Sequence, residues 1–151
     1  RMISNDWYTI SGVDYFFLPS GAMATGWYQE GDDWYYFDGN GQLVNGWKSI
    51  GGKWYFFNND YRMVCNGWYN INGVEYAFLP SGAMIDGWAK INGEWYYCPG
   101  GKEYEGWLSS GGNWYYISES WMLYGGIYPI GNKYCEFANN GVWLGYTNPP
   151  K

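Results

Sequence analysis

The 151-residue chain contains no histidine, which removes histidine-based acid–base catalysis and histidine metal sites. Charge is also scarce: charged residues make up 15%, and eight Lys and Arg against fourteen Asp and Glu leave a net charge of -6. A surface of that sign argues against holding a nucleic-acid backbone, which needs clustered positive charge. The three cysteines, Cys65, Cys98 and Cys135, are odd in number and widely spaced. They give neither a disulfide framework nor a zinc pattern, and read as small buried hydrophobes, with a bridge between two of them left open. No apolar run approaches the roughly 18 residues of a membrane-spanning helix. The chain opens in mid-rhythm on Arg1-Met2 without a signal peptide, and is read as a piece of a longer protein.

Aromatics take the place of the missing groups, at 25% of the chain: 12 Trp, 18 Tyr and 7 Phe. They recur on a fixed beat. A Trp, preceded by Gly in all but the first unit, stands at Trp7, Trp27, Trp47, Trp68, Trp88 and Trp107, at spacings of 19 to 21 residues, with Ile127 continuing the series. Gly145-Tyr146 reads as the start of a further unit. A short fixed period means that each unit buries its apolar face against its neighbours, as in a solenoid.

The third unit shows the local grammar: Gly46-Trp47-Lys48-Ser49-Ile50, then Gly51-Gly52, then Lys53-Trp54-Tyr55-Phe56-Phe57. Two short aromatic runs around residues that accept positive φ predict a β-hairpin. The turn recurs as Asn72-Gly73, Asn92-Gly93 and Gly111-Gly112. Second loops such as Pro19-Ser20-Gly21 and Asp38-Gly39-Asn40-Gly41 lead to the next unit. Helical periodicity is absent. The expectation is all-β, a solenoid of about seven consecutive β-hairpins forming a single repeat module over 1–151. Tyr15-Phe16-Phe17-Leu18-Pro19-Ser20-Gly21-Ala22-Met23 returns as Tyr76-Ala77-Phe78-Leu79-Pro80-Ser81-Gly82-Ala83-Met84, so the array also repeats in blocks of three units.

Alternation along a strand sorts side chains by face. Eight residues after each beat stand Tyr15, Tyr35, Tyr55, Tyr76, Tyr96, Tyr115 and Cys135. Ten after stand Phe17, Phe37, Phe57, Phe78, Cys98, Ile117 and Phe137. Both columns are apolar or aromatic throughout and are assigned to the core. The seventh column (Asp14, Trp34, Trp54, Glu75, Trp95, Trp114, Tyr134) and the ninth (Phe16, Tyr36, Phe56, Ala77, Tyr97, Tyr116, Glu136) admit Asp, Glu and Ala. They are assigned to a face that is not deep core. Sixteen residues after the beat come Met23, Leu43, Met63, Met84, Tyr104, Leu123 and Trp143, read as fillers between hairpins, with pocket lining as the alternative. Tryptophans from both strands plus an aromatic from the next unit could form an open box. Such a box would attract a quaternary ammonium through ring faces, or carry the C–H face of a sugar.

Gly-Trp, a turn, Trp-Tyr-Tyr-Phe, then Gly and Met before the next Gly-Trp resembles the cell-wall-binding repeat family. That family includes choline-binding modules and, as relatives, glucan-binding and clostridial toxin receptor-binding repeats. The resemblance covers about residues 6–146. It implies a β-hairpin solenoid with aromatic cages between consecutive hairpins. Carried over, the units with both tryptophans are Trp27 and Trp34, Trp47 and Trp54, Trp88 and Trp95, and Trp107 and Trp114. The third wall is expected from the second strand of the following unit, its column left open. Phe56 with the Trp27 pair and Tyr116 with the Trp88 pair are the best-furnished combinations. Asp14 and Glu75 replace the second Trp in the sister units, and Ala77 and Glu136 are expected to leave the third and sixth cages open.

Asp14 and Glu75 are the acids that recur in an aromatic setting, but they sit on equivalent positions of separate units. Carboxylates acting on one glycosidic bond must approach within about 5–10 Å, so no enzyme is expected. What the resemblance implies is a non-catalytic module, secreted and cell-wall associated, needing no cofactor or metal. Its partner would be a choline-decorated teichoic polymer, with avidity from several weak sites. A polysaccharide bound on the same aromatic grooves is the alternative. Neither nucleic acid nor membrane insertion is expected, and a homodimer through terminal hairpins is compatible with the resemblance.

Overall fold

The structure, a computed structural model, describes residues 6–10, 13–17 and 22–150. Side-chain readings placed on Trp7, Asp14, Phe16 and Phe17, and the loop reading at Pro19-Ser20-Gly21, lie outside the described residues. The chain divides into two compact units, one of residues 1–66 with 80–84, the other of 67–79 with 85–151.

The first unit holds three antiparallel hairpins: β1 (Asp6–Ile10) with β2 (Val13–Phe17), β3 (Gly26–Glu30) with β4 (Asp33–Phe37), and β5 (Gly46–Ile50) with β6 (Lys53–Phe57). The second holds β7 (Gly67–Ile71) with β8 (Val74–Phe78), β9 (Gly87–Ile91) with β10 (Glu94–Cys98), and β11 (Gly106–Ser110) with β12 (Asn113–Ser118). A short β13 (Trp121–Met122) then bridges β10 and β12. The unit ends in the meander β14 (Gly126–Ile130), β15 (Lys133–Phe137) and β16 (Trp143–Thr147). Consecutive all-β hairpins are thus what the sequence predicts.

The hairpin turns follow from their residues. Asn72 and Gly73 have φ of 53° and 88°, and Gly51 and Gly52 have 61° and 84°. Positive φ at both central positions is the turn whose twist matches the paired strands. In the second loops an Asx side chain organises the chain: Asp38 Oδ1 accepts from the Asn40 and Gln42 backbone N–H groups at 2.9 and 3.0 Å. Asn58 does the same for Asp60 and Arg62.

Burial follows distance from the turn more than strand face. The tenth column is the core: Phe37, Phe57, Phe78, Cys98, Ile117 and Phe137 are all fully buried. The eighth column, assigned to the core from its uniformity, is only half-buried at Tyr35, Tyr55, Tyr76, Tyr96 and Tyr115. Conversely Ala77, placed on the open face, is buried with Ile85 and Cys98. A hairpin projecting from a stack buries its base on both faces and exposes more of its tip, although Ile71 beside the turn and Cys135 in the eighth column are buried, so alternation alone misassigned these positions. Cys98 and Cys135 are buried and free, and burial pushes both thiols up.

The sixth hairpin departs from the count of its neighbours. The backbone N–H groups of Val44, Val64, Ile85 and Leu123 donate to the carbonyls of Tyr36, Phe56, Ala77 and Tyr116. Leu123 therefore belongs with the residues next to the core, and Met122 takes the place of Met63. The loop after β12 is one residue shorter than its counterparts, which shifts the count.

Candidate functional site

Within the first unit, cross-strand geometry assembles the site. Trp27 pairs with Tyr36, and Gln29 with Trp34, so the two tryptophans are diagonal neighbours on one face. Their rings meet edge to face at 6.1 Å and 86°. The next hairpin contributes Tyr55, 5.0 Å from Trp27 at 75°. Below it, fully buried Phe57 lies 6.0 Å from Trp27. The base of the stack is thus sealed, while Trp27, Trp34, Tyr55, Met63 and Ser81 surround an open recess of about 320 Å³. Met63 is fixed by its backbone N–H, which donates to the Trp34 carbonyl at 2.9 Å.

The same arrangement recurs in the second unit. Trp88 and Trp95 meet at 6.1 Å and 87°, and Tyr115 lies 5.4 Å from Trp88 at 68°. With Met122 and Asn140 they surround a recess of about 410 Å³. Among the described residues, none that lines either recess is charged. One cation stands close by: Lys90, paired with Trp95 across the strands, places Nζ 6.0 Å from the Trp95 ring centroid. The first recess has Gln29 at that place.

In both recesses the ring that lines from the following hairpin, Tyr55 or Tyr115, stands in the eighth column rather than the ninth. Phe56 packs 5.3 Å from Trp47 inside its own hairpin, and Tyr116 packs 5.2 Å from Trp107. Neither lines a recess with the Trp27 or Trp88 pair. Tyr55, Tyr115, Met122, Ser81 and Asn140 were the lining residues that sequence reasoning missed, while Met63 takes the pocket-lining place given to its column as the alternative. The available signal was the near-invariant tyrosine of the eighth column, whose hydroxyl suits a half-exposed position better than a core.

The remaining tryptophans differ. Trp47 and Trp54 repeat the edge-to-face pair at 6.4 Å and 82°. Trp107 is drawn into packing instead: it stacks on Phe137 at 6.0 Å and 29°, and meets Trp143 edge-on at 5.3 Å. At the wall position of the following hairpin stands buried Cys135, and Trp114 remains 48% exposed. Among the described residues, Trp107 and Trp114 do not form the edge-to-face pair that Trp88 and Trp95 form. Among the described residues, no group of His, Cys, Asp or Glu could hold a metal ion, and no helix is long and apolar enough to cross a membrane.

Three aromatic walls around a recess thus recur between successive hairpins in each of the two units. The choline-binding repeat family matches residues 4–45 and 65–101, more than half of the chain, and a cell wall binding repeat matches 45–60 and 105–120. The chain belongs to the family of choline-binding, cell-wall-binding repeats, whose members are generally binding modules. No curated protein matches it. Among solved structures, choline binding protein F from Streptococcus pneumoniae, in the presence of a peptidoglycan analogue, is similar at 28% identity and a TM-score of 0.75. That alignment covers 93% of this chain and 52% of the other. CbpJ from Streptococcus pneumoniae matches at 26% identity and 0.75, over 93% and 52%. The endolysin from phage Cp-1 complexed with choline matches at 28% and 0.51, over 80% and 37%. The chain spans about half the length of the first two.

Proposed function

We propose that the chain is a non-catalytic module that holds a secreted protein to the bacterial cell wall by binding choline-type groups on teichoic polymers. The observation carrying this reading is the pair of matching recesses, Trp27–Trp34–Tyr55–Met63 and Trp88–Trp95–Tyr115–Met122. Ring faces and edges crossing near right angles enclose a compact volume, which suits a trimethylammonium group better than the flat face of a sugar. Each ring contributes roughly 0.5–2 kcal/mol to a bound cation, more once water is excluded. A quaternary ammonium donates no hydrogen bonds, so neutral walls leave nothing unsatisfied. Single sites of this kind are weak, and a polymer presenting many choline groups gains by engaging several at once within one continuous repeat module. A homodimer pairing terminal hairpins would add to that avidity.

The test is a titration of intrinsic Trp fluorescence with choline chloride against sodium chloride as control. Saturable millimolar quenching, reduced in Trp27→Ala and in Trp88→Ala and lost in the double variant, is expected. An unchanged response in the double variant would refute the assignment.

A further inference from the structure

The fourth hairpin carries a recess of different chemistry. It has a volume of about 540 Å³ and is lined by Trp68, Gly73, Val74, Glu75, Lys102 and Glu103. It stands where a cage would be, but two substitutions dismantle the cage. Glu75 occupies the seventh-column place held elsewhere by Trp34, Trp54, Trp95 and Trp114. Trp68 pairs across the strands with Ala77, where Trp27 has Tyr36 and Trp88 has Tyr97. Trp68, 42% exposed, is left as a single open aromatic plane.

The opposite wall is rebuilt as well. After β10 the chain makes a tight turn at Pro99–Gly101, held by Gly100 N–H donating to Asp86 Oδ1 at 2.8 Å and Lys102 N–H donating to the Pro99 carbonyl at 3.1 Å. This turn delivers Lys102 and Glu103 to the recess. Where Met63 would stand, the fifth hairpin has Tyr104, whose hydroxyl donates to the Trp107 carbonyl at 2.7 Å. Among the described residues, no hydrogen bond or ion pair engages the side chains of Glu75, Lys102 or Glu103.

We propose that this recess binds a pyranose ring of a neutral glycan, at a site separate from the two cages. One indole face takes the apolar C–H face of the ring. Glu75 and Glu103 accept hydrogen bonds from ring hydroxyls, and Lys102 donates to a hydroxyl or ring oxygen. A trimethylammonium group would meet one aromatic wall instead of three and could form no hydrogen bonds here, and its attraction to Glu75 and Glu103 is offset by Lys102 and screened at these exposed positions. The recess is also larger than either cage, as a substituted ring requires. The site stands on its own residues and does not depend on the choline reading.

The experiment follows the tryptophan indole N–H resonances of the ¹⁵N-labelled chain while maltohexaose, isomaltohexaose and N-acetylchitotetraose are added separately, then choline. At least one oligosaccharide is expected to shift the Trp68 resonance saturably. Glu75→Trp should weaken that sugar, read at Trp68, by roughly tenfold or more, the scale of a lost hydrogen bond to a charged group; Trp68→Ala, which removes the reporting indole, should weaken it in isothermal titration calorimetry. Both variants should keep the choline responses of Trp27 and Trp88, which shows that they are folded. Glu75→Trp changes an exposed tip residue, so it serves even if Trp68→Ala does not fold. No Trp68 shift with any of the three sugars, or sugar affinity unchanged in Glu75→Trp, would overturn the proposal. So would a choline shift at Trp68 as large as that at Trp88. Sugar binding without any choline response would refute the cage reading alone.

Discussion

Met63 rests directly on Gly82: a Cβ built on Gly82 would overlap the Met63 sulfur and its terminal methyl, and Gly82 itself has φ of +93°. Met122 rests in the same way on Gly141 (φ +89°). The glycine of a following loop thus lets a thioether lie along one side of each cage. Gly82→Ala should displace Met63 and add the strain of an L-residue at positive φ, about 1–2 kcal/mol. Thermal unfolding should show the loss. Choline binding should weaken at Trp27 and remain unchanged at Trp88.

Tyr55 and Phe56 are adjacent on β6 but act differently. Tyr55→Ala should weaken choline at the first cage by several-fold to about thirtyfold, the value of one ring wall. Phe56→Ala removes a ring that packs on Trp47 and should leave that affinity within about twofold. Fluorescence titration of both variants decides which column supplies the wall.

The two cages should not be equal. Lys90 holds a positive charge 6.0 Å from the Trp95 ring and competes with an incoming cation. Lys90→Gln, which copies Gln29 of the first cage, should strengthen choline at the second cage by about two- to fivefold. The difference should shrink at high salt, because the charge is exposed. The cage linings carry no carboxylate or amine, so binding should otherwise be flat between about pH 5 and 8.

Stability should follow the burial gradient along the hairpin. Phe57→Ala, at the fully buried base, should cost about 3–5 kcal/mol. Trp54→Ala, at a tip position 47% exposed, should change stability by no more than about 1 kcal/mol. Chemical denaturation of both variants checks the pair. A larger loss from Trp54→Ala would contradict the gradient.

The hairpins were legible because their signals are local. Asn72-Gly73 requires a particular turn whatever surrounds it, and the Gly-Trp beat fixes each strand start. The core phenylalanines were legible too, since Phe57 lies at a strand base where both alternation and stacking bury it. The cage wall was not legible, because it depends on how far a hairpin tip projects beyond its neighbour. Tyr55 and Phe57 lie on one strand face, yet one lines an open recess and the other is sealed. Strand alternation carries no information about that distance. The Leu123 misalignment has a similar origin, since a one-residue loop deletion is invisible until the Leu123–Tyr116 hydrogen bond sets the register. Trp107 kept the motif but not the edge-to-face Trp pair, because Cys135 and Trp143 lie in a neighbouring hairpin and alter its surroundings.

The most direct test follows the indole N–H resonances of the ¹⁵N-labelled chain during a choline titration at constant ionic strength. Saturable shifts at Trp27, Trp34, Trp88 and Trp95, with Trp107 and Trp114 unmoved, are the predicted result. No saturable shift at those four indoles, or shifts centred on Trp107 and Trp114, would contradict the account.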